Sequence, residues 1–169
     1  MNATLDAWNK AGEAAALDAM LACCGARRWA TAMVALRPIA GIVELSVAAD
    51  RVWGTMEEVD WLEAFAAHPR IGERKATRAT ARSAAWSRSE QASINDAPEQ
   101  LLDELAEGNA AYEKKFGFPY IVCATGRTAD ELLAILQRRL RCERAGELRE
   151  AAEQQRQITQ LRLGKWLVE

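Results

Sequence analysis

His68 is the sole histidine among the 169 residues, and it lies in the sequence Ala67-His68-Pro69-Arg70-Ile71-Gly72. Imidazole is the side chain whose unperturbed pKa falls in the physiological range. A histidine-mediated proton transfer near neutral pH therefore has a single candidate in this chain. The plainer interpretation is a capping role, because a histidine at the C-terminal end of a helix interacts favourably with the helix dipole.

A second polar cluster follows at Ser87-Arg88-Ser89-Glu90-Gln91. Its S-x-x-E pattern is that of a capping box, in which the hydroxyl and the carboxylate satisfy free amides at the start of a helix. We therefore expect a helix to begin near Ser87. Free amides, a hydroxyl and a carboxylate at a helix N-terminus also form a polar wall suited to a ligand. Helix capping and ligand binding are both open on this pattern, and capping leaves the Gln91 amide unexplained.

The segment Gly117-Phe118-Pro119-Tyr120-Ile121-Val122-Cys123, called the connector below, breaks the helical pattern. It is too apolar to be solvated, and its proline is unsuited to a helix interior. We predict a buried, extended segment whose backbone groups must find partners. Its two aromatic rings could hold a flat heterocycle between them, and a purely structural hydrophobic connector is the alternative.

Arginines occur in two settings near the C-terminus. Arg162 lies among apolar residues in Ile158–Leu163, where it faces either solvent or the interior. Inside, its guanidinium would match a carboxylate or a urea oxygen with two hydrogen bonds. The other setting is interpreted as a solvated helix face, because acidic residues follow the basic ones closely. That face comprises Arg138, Arg139, Arg141 and Arg144, followed by Glu143, Glu147 and Glu150.

The elements that position these residues are predicted to be helices. Long stretches are rich in Ala, Leu, Glu and Arg, which are strong helix formers, and no region alternates with the period of a strand. Capping boxes at Thr55–Glu58 and Thr128–Glu131 and a start at Asp96–Pro98 mark helix beginnings. The helix opened at Thr55 should end before His68-Pro69, because a residue preceding proline avoids the α conformation. The last helix spans about 146–167, with an apolar side of Leu148, Ile158, Leu161 and Trp166.

Length and composition indicate a single globular domain, 1–169, with 27% charged residues. The net charge of −2 argues against a dedicated nucleic-acid binder. We expect no signal peptide, because the first residues lack a basic stretch followed by an apolar core, and no apolar run is long enough to span a membrane. Its four cysteines form no C-x-x-C pair, so no zinc or redox site is expected. We expect a cytoplasmic bacterial protein that acts on a small molecule, binding neither nucleic acid nor membrane. The long last helix could pair with a second copy, giving a homodimer.

The motifs A-H-P-R-I-G, S-x-x-E-Q, K-F-G-F-P-Y-I-V, Gly126-Arg127 and I-T-Q-L-R-L occur in this order over most of the chain. Together they resemble the decarboxylases of 2-oxo-4-hydroxy-4-carboxy-5-ureidoimidazoline (OHCU), which catalyse the last step from urate to (S)-allantoin. The resemblance implies an all-α bundle of about eight helices. It also implies a cofactor-free decarboxylase whose substrate is OHCU.

The same resemblance assigns roles to individual residues. His68 matches the catalytic histidine, and we expect Glu90 and Arg162 to act with it, Glu90 as a partner of the ring or of a substrate N–H and Arg162 on substrate oxygens. The residues implied to bind substrate are Pro69, Ser87, Gln91, Phe118, Pro119, Tyr120, Ile121 and Val122. Two alternatives stay open: a hydrolase of a related ureide that uses His68 and Glu90 to activate water, and a non-catalytic helical ligand-binding module.

Overall fold

A computed structural model describes residues 2–72, 80–94 and 97–169, and the described residues form α-helices without a strand. The predicted all-α fold is confirmed, with nine α-helices in the described ranges where about eight were expected. The helices are α1 (Ala3–Lys10), α2 (Glu13–Cys23), α3 (Arg27–Ala35), α4 (Ile42–Trp53), α5 (Glu58–Ala66), α6 (Ala81–Glu90), α7 (Glu99–Phe116), α8 (Ala129–Arg139) and α9 (Arg144–Trp166), with a 3-10 turn at Ala92–Ile94.

Helix ends follow local chemistry in most places. The predicted capping box at Thr128 is present, with the Thr128 hydroxyl and the Glu131 carboxylate each accepting from the other's amide. The left-handed Gly117, at φ +82°, ends α7 as expected. The prediction for Thr55 is wrong, because its hydroxyl donates to the Val52 carbonyl at the end of α4. Residue 96, the predicted start of α7, lies outside the described residues.

By its internal contacts the chain divides into two compact units. The first unit comprises the residues up to Ala64 together with Arg156–Glu169. Tryptophans organise its core: Trp29 is fully buried and its indole N–H donates to the Ala49 carbonyl. Trp8 packs edge-on against Trp166, with ring centroids 5.9 Å apart, and donates to the Ala16 carbonyl. The indole N–H groups of Trp8 and Trp29 thus both have acceptors, as burial of a polar atom favours.

The second unit, Phe65–Gln155, contains an aromatic core. Tyr112 and Phe116 of α7 contact Phe118 and Tyr120 of the connector, and Phe65 contacts Phe118 at 5.5 Å between centroids. Helix α7 approaches α8 closely at Gly108, where a Cβ atom would lie 2.6 Å from a methyl group of Leu136. The rings therefore pack around the connector and bury it.

Helix α9 departs from the predicted pattern, because nearly half of its buried residues are polar. Leu161, expected on the apolar side, is 40% exposed, whereas Leu148, Ile158 and Trp166 are buried as predicted. Polar side chains take up much of the remaining buried surface of this helix. They are Glu147, Gln154, Gln155, Thr159 and Arg162. Buried polar groups are expensive without partners, so these residues mark positions where hydrogen bonding matters.

Candidate active site

The segment Ala67–Gly72, called the histidine segment below, follows the end of α5 at Ala66, as predicted. The His68 amide donates to the Phe65 carbonyl at 3.1 Å, and the His68 and Pro69 side chains are half-buried. The buried Asn109 of α7 donates to the Ile71 carbonyl at 2.9 Å. Helix capping and side-chain hydrogen bonds therefore hold the segment on a surface that solvent and ligand can reach.

The His68 ring contacts a residue that the motifs did not single out. Its Nε2 atom lies 2.8 Å from Oε1 of Gln155, whose side chain has no exposed surface. Gln155 lies on α9, far from His68 in sequence and close to it within the second unit. A catalytic histidine needs a group that fixes its orientation, and Gln155 has the geometry for that role.

The S-x-x-E-Q motif lies at the opposite end of a helix from the one predicted. Helix α6 begins after Thr80, whose hydroxyl accepts from the Ser83 amide, so Ser87 and Glu90 occupy its last turn and Gln91 follows it. The predicted capping box at Ser87 is therefore wrong, because the hydroxyl of Thr80 already caps the N-terminus of this helix. Ser87 is buried, and Glu90 and Gln91 are half-buried.

The last turn of α6 nevertheless brings this motif to the histidine segment. Residues three and four apart share a helix face, so Ser87 lies on the same side as Glu90 and Gln91. Oε1 of Gln91 accepts from the Gly72 amide at 3.0 Å, where Gly72 has a φ of +87°. Two of the predicted motifs thus meet through a direct hydrogen bond.

The connector is buried and irregular, as predicted, with Phe118, Tyr120, Ile121 and Val122 all buried and Pro119 half-buried. Its backbone groups find protein partners. The Cys123 amide donates to Oε1 of Gln154 at 2.9 Å, and the Ile121 carbonyl accepts from Arg139 at 2.7 Å. Adjacent glutamines of α9 therefore hold different motifs, Gln154 the connector and Gln155 the histidine.

Arg139 belongs to a buried ion pair and not to the solvated face predicted for it. Its guanidinium is 2% exposed and binds the Glu147 carboxylate, which is 1% exposed and also accepts from the Tyr112 hydroxyl. Burial by itself lowers the pKa of Arg139, but hydrogen bonding to Glu147 and electrostatic interactions with Tyr112, Glu147 and Tyr120 together outweigh it, so the net pKa is raised. Burial raises the pKa of the Tyr112 phenol, so this hydroxyl stays protonated and donates. The pair is a charged support beneath the connector.

The sequence missed this pair because arginine and glutamate eight positions apart, among other charged residues, have the composition of a surface helix. The spacing of residues along α9 did contain information about which side of the helix is buried. Along α9, Glu147, Ala151 and Gln155 recur at every fourth residue, and all three are buried. Recurrence of buried positions at helical spacing marks an inward face whether its residues are polar or apolar.

A cavity of about 250 Å³ lies beside the histidine segment in the second unit. It opens between Arg70–Gly72 and the α7 residues Leu102, Ala106 and Asn109. Arg70 and Glu113, both at its lining, form an ion pair with N···O of 2.7 Å. Part of the histidine segment therefore borders space in which a small ligand fits, although His68 itself does not line this cavity.

Arg162 belongs to the first unit, and its side chain is 2% exposed, which settles the open question of its orientation in favour of the interior. It lies near Cys24, whose thiol hydrogen-bonds the Thr159 side chain. Burial raises the pKa of Cys24 to about 11, more than the positive charge of Arg162 lowers it. The cysteine is therefore a neutral thiol at physiological pH, and Arg162 is the charged group of this cluster.

These features define a class of protein: an all-α chain with one half-buried, amide-bound histidine in a segment that borders a small cavity, suited to proton transfer on a small molecule. The family model of OHCU decarboxylase matches residues 9–164, and the chain belongs to this family. The resemblance drawn from the motifs is thereby confirmed.

Individual relatives agree with this placement. The chain is 38% identical over 149 residues to the uric acid degradation bifunctional protein TTL of Arabidopsis thaliana, covering 88% of this chain and 46% of that protein. It is 29% identical over 131 residues to an OHCU decarboxylase of Haloferax volcanii, covering 76% of this chain and 74% of that one. The chain thus spans about half the length of the plant relative.

Solved structures give the same result. A crystal structure of OHCU decarboxylase in the presence of (S)-allantoin matches with a TM-score of 0.78 at 36% identity, covering 90% of this chain and 99% of that one. A crystal structure of (S)-allantoin synthase matches with a TM-score of 0.71, covering 96% of this chain and 53% of the other. At 20% identity the second likeness shows the shared fold alone.

None of the described helices is both long enough and apolar enough to cross a membrane.

Proposed function

We propose that this protein decarboxylates OHCU to (S)-allantoin, with His68 as the group that handles the proton. The observation that carries the proposal is the hydrogen bond between His68 and the buried Gln155, in a chain of the OHCU decarboxylase family. An orienting partner is what a general acid or base requires and what a surface capping residue does not. The match to a structure determined in the presence of (S)-allantoin supports the choice of product.

The reaction places modest demands on the protein. The bond between the ring carbon and the carboxylate breaks, CO2 leaves, and the electron pair passes into the conjugated imidazolone ring. One proton is then delivered to the ring, so charge and atoms balance. Because the ring itself accepts the electrons, the protein has to hold the ring, orient the breaking bond and supply the proton from one face.

Each motif is suited to part of this task. His68 would deliver the proton, and Glu90 in the last turn of α6 would bind a substrate N–H. The hydroxyl of Ser87 and the Nε2–H groups of Gln91 would bind the ureido and carbonyl groups, since Oε1 of Gln91 already accepts from Gly72. Pro69 and the connector residues Phe118 to Val122 would contact the planar ring.

Arg162 completes the proposed set by stabilising anionic oxygen as the carboxylate leaves. Its burial is consistent with the assignment, because the guanidinium lies in the interior and not on a solvated helix face. We also propose that the chain acts as one domain, 1–169, since the family match runs through both compact units. Homodimer formation, the absence of nucleic-acid and membrane partners, and a cytoplasmic bacterial location remain predictions.

Product analysis tests the proposed reaction. OHCU is generated freshly from hydroxyisourate and its hydrolase, and circular dichroism is followed after adding the protein. The proposal predicts rapid appearance of the (S)-allantoin signal together with CO2, because the proton arrives on one face. Release of ammonia or loss of the ureido group would show a hydrolase instead. A decay no faster than the spontaneous reaction, giving racemic product, would identify a non-catalytic module.

The role of Arg162 is tested by Arg162→Lys, which keeps the charge and removes the two-pronged hydrogen bonding. We expect kcat/KM to fall about 10–100-fold, the scale of a lost hydrogen bond to a charged group. Arg156→Lys is the matched control on the same helix, because Arg156 pairs with Asp50 at a partly exposed position. Equal kinetics for wild type and Arg162→Lys would remove Arg162 from the site.

A further inference from the structure

Gln155 contacts the imidazole ring of His68 through its amide oxygen, which can only accept a hydrogen bond. The oxygen of an amide carries lone pairs and no hydrogen, so it accepts and never donates. With Oε1 of Gln155 at 2.8 Å from Nε2 of His68, the hydrogen between them has to reside on Nε2. In the neutral ring, the proton-accepting lone pair then belongs to the other nitrogen, Nδ1.

We propose that Gln155 is a positioning residue that holds His68 in its Nε2–H tautomer, so that Nδ1 is the nitrogen that exchanges the proton with substrate. The assignment of the tautomer depends on the hydrogen bond alone. The exchange of a proton with substrate at Nδ1 rests in addition on the proposed function. Gln155 lies outside the motifs that indicated the family.

The contact suits both states of the ring. When Nδ1 gains a proton, Nε2 still carries its hydrogen and still donates to Gln155, so the hydrogen bond persists through the proton transfer. The ring therefore keeps its orientation in both halves of the reaction. A hydrogen-bond donor in place of the amide oxygen would oppose the charged ring, which would have hydrogens on both nitrogens.

Because Gln155 is buried, its amide oxygen is held in a fixed direction toward His68. Its side chain has no exposed surface, and its neighbour Gln154 is 8% exposed and binds the Cys123 amide. Buried side chains are confined by packing, and an amide fixed in this way presents its oxygen in one direction. His68 itself is half-buried, so the partner on the protein side is the more rigid of the two.

The tautomer can be measured directly because the chain contains one histidine. Protein labelled with ¹⁵N-histidine gives a single imidazole in a long-range ¹H–¹⁵N spectrum, recorded over a pH series that is extended upward until the ring signals stop changing and the ring is neutral. We expect a protonated Nε2 and an unprotonated Nδ1 in the wild type. Signals of an Nδ1–H tautomer in the wild type would overturn the inference, whatever the activity.

Gln155→Met tests the cause, since it keeps the approximate volume and removes the acceptor. We expect the Nε2–H tautomer to lose its dominance, and kcat to fall about 10–100-fold with a smaller change in KM, the scale seen when an orienting partner of a ring nitrogen is lost. Gln154→Met, the adjacent buried glutamine, is the matched control and should leave the tautomer unchanged. An unchanged tautomer and kcat in Gln155→Met would refute the positioning role.

The outcomes separate this inference from the proposed function. A wild-type protein with the Nε2–H tautomer and no decarboxylase activity would refute the function and leave the tautomer assignment standing. Decarboxylation by a wild-type protein with the Nδ1–H tautomer would refute the inference alone. If Gln155→Met does not fold, the wild-type spectrum still decides the tautomer.

Discussion

The histidine segment and the connector both follow the end of a helix, and both carry motif residues, yet they are held in different ways. The connector rests on a buried ion pair, Arg139 with Glu147, and on packed aromatic rings. The histidine segment has neutral amide partners, those of Asn109, Gln91 and Gln155, and an ion pair, Arg70 with Glu113, lies at the partly exposed side of the segment. The connector is buried, whereas His68 is half-buried.

This difference suits the tasks proposed for the two segments. A surface that holds a planar ring benefits from rigidity, which a buried and hydrogen-bonded ion pair supplies. A group that gains and loses a proton would be biased by a permanent charge at its partner, whereas a neutral amide orients it without adding charge. The comparison therefore predicts large structural effects on the connector side and mainly kinetic effects on the histidine side.

The largest structural effect is expected from Glu147→Leu. Removing the carboxylate leaves the buried guanidinium of Arg139 uncompensated, which should lower the free energy of unfolding by about 3–5 kcal/mol in a denaturant titration. The double variant Arg139→Met/Glu147→Leu is the control, and it should recover much of this loss because no charge stays buried. If the single variant matches wild type in stability, the ion pair is not what supports the connector.

Alkaline pH should weaken the connector side next. Burial raises the pKa of both Tyr112 and Tyr120 above the ordinary 10.0, so the folded state retains protons that the unfolded chain releases. Stability is complete below about pH 10 and falls as pH rises further, by up to about 1.4 kcal/mol per pH unit for each tyrosine. Denaturant midpoints measured from neutral to alkaline pH check this.

Tyr120→Phe provides the comparison for that experiment, since it removes one titrating group and keeps the ring. We expect a shallower loss of stability above pH 10 in this variant, together with a small loss at neutral pH from the missing hydrogen bond to the Leu132 carbonyl. Identical alkaline profiles for the two proteins would mean that Tyr120 ionises equally in the folded and unfolded states.

The smallest stability effect is expected on the histidine side, from Asn109→Ala. This change leaves the buried Ile71 carbonyl without its 2.9 Å donor, at a cost of about 1–3 kcal/mol. Because the histidine segment then loses a tether, kcat should fall in addition. A kcat equal to wild type despite lower stability would show that Asn109 supports the fold without positioning His68.

Local chemistry made much of the fold predictable from sequence. The Thr128 box, the glycine stop at Gly117 and the helix end before His68-Pro69 all depend on a few neighbouring residues, and all are confirmed. The Ser87 prediction failed because an S-x-x-E pattern fits either end of a helix. Which end it occupies depends on Thr80, at the start of the helix.

The site was predictable only in part for a related reason. His68 and the connector are conspicuous in composition, one by its uniqueness and the other by its apolar proline-containing run. Gln155 and Arg139 have the residue types of a surface helix, and their importance comes from contacts with positions far away in sequence. Such contacts are properties of tertiary packing, which local pattern and propensity do not encode.

The central claim is that His68 transfers the proton in an OHCU decarboxylation. The most direct test is the initial rate of (S)-allantoin formation, followed by circular dichroism, for wild type and His68→Asn, with helical content compared in both. We predict a kcat about 10²–10⁴-fold lower in the variant, the usual contribution of general acid–base catalysis, with the fold intact. A folded His68→Asn protein that forms (S)-allantoin at close to the wild-type rate would contradict the claim.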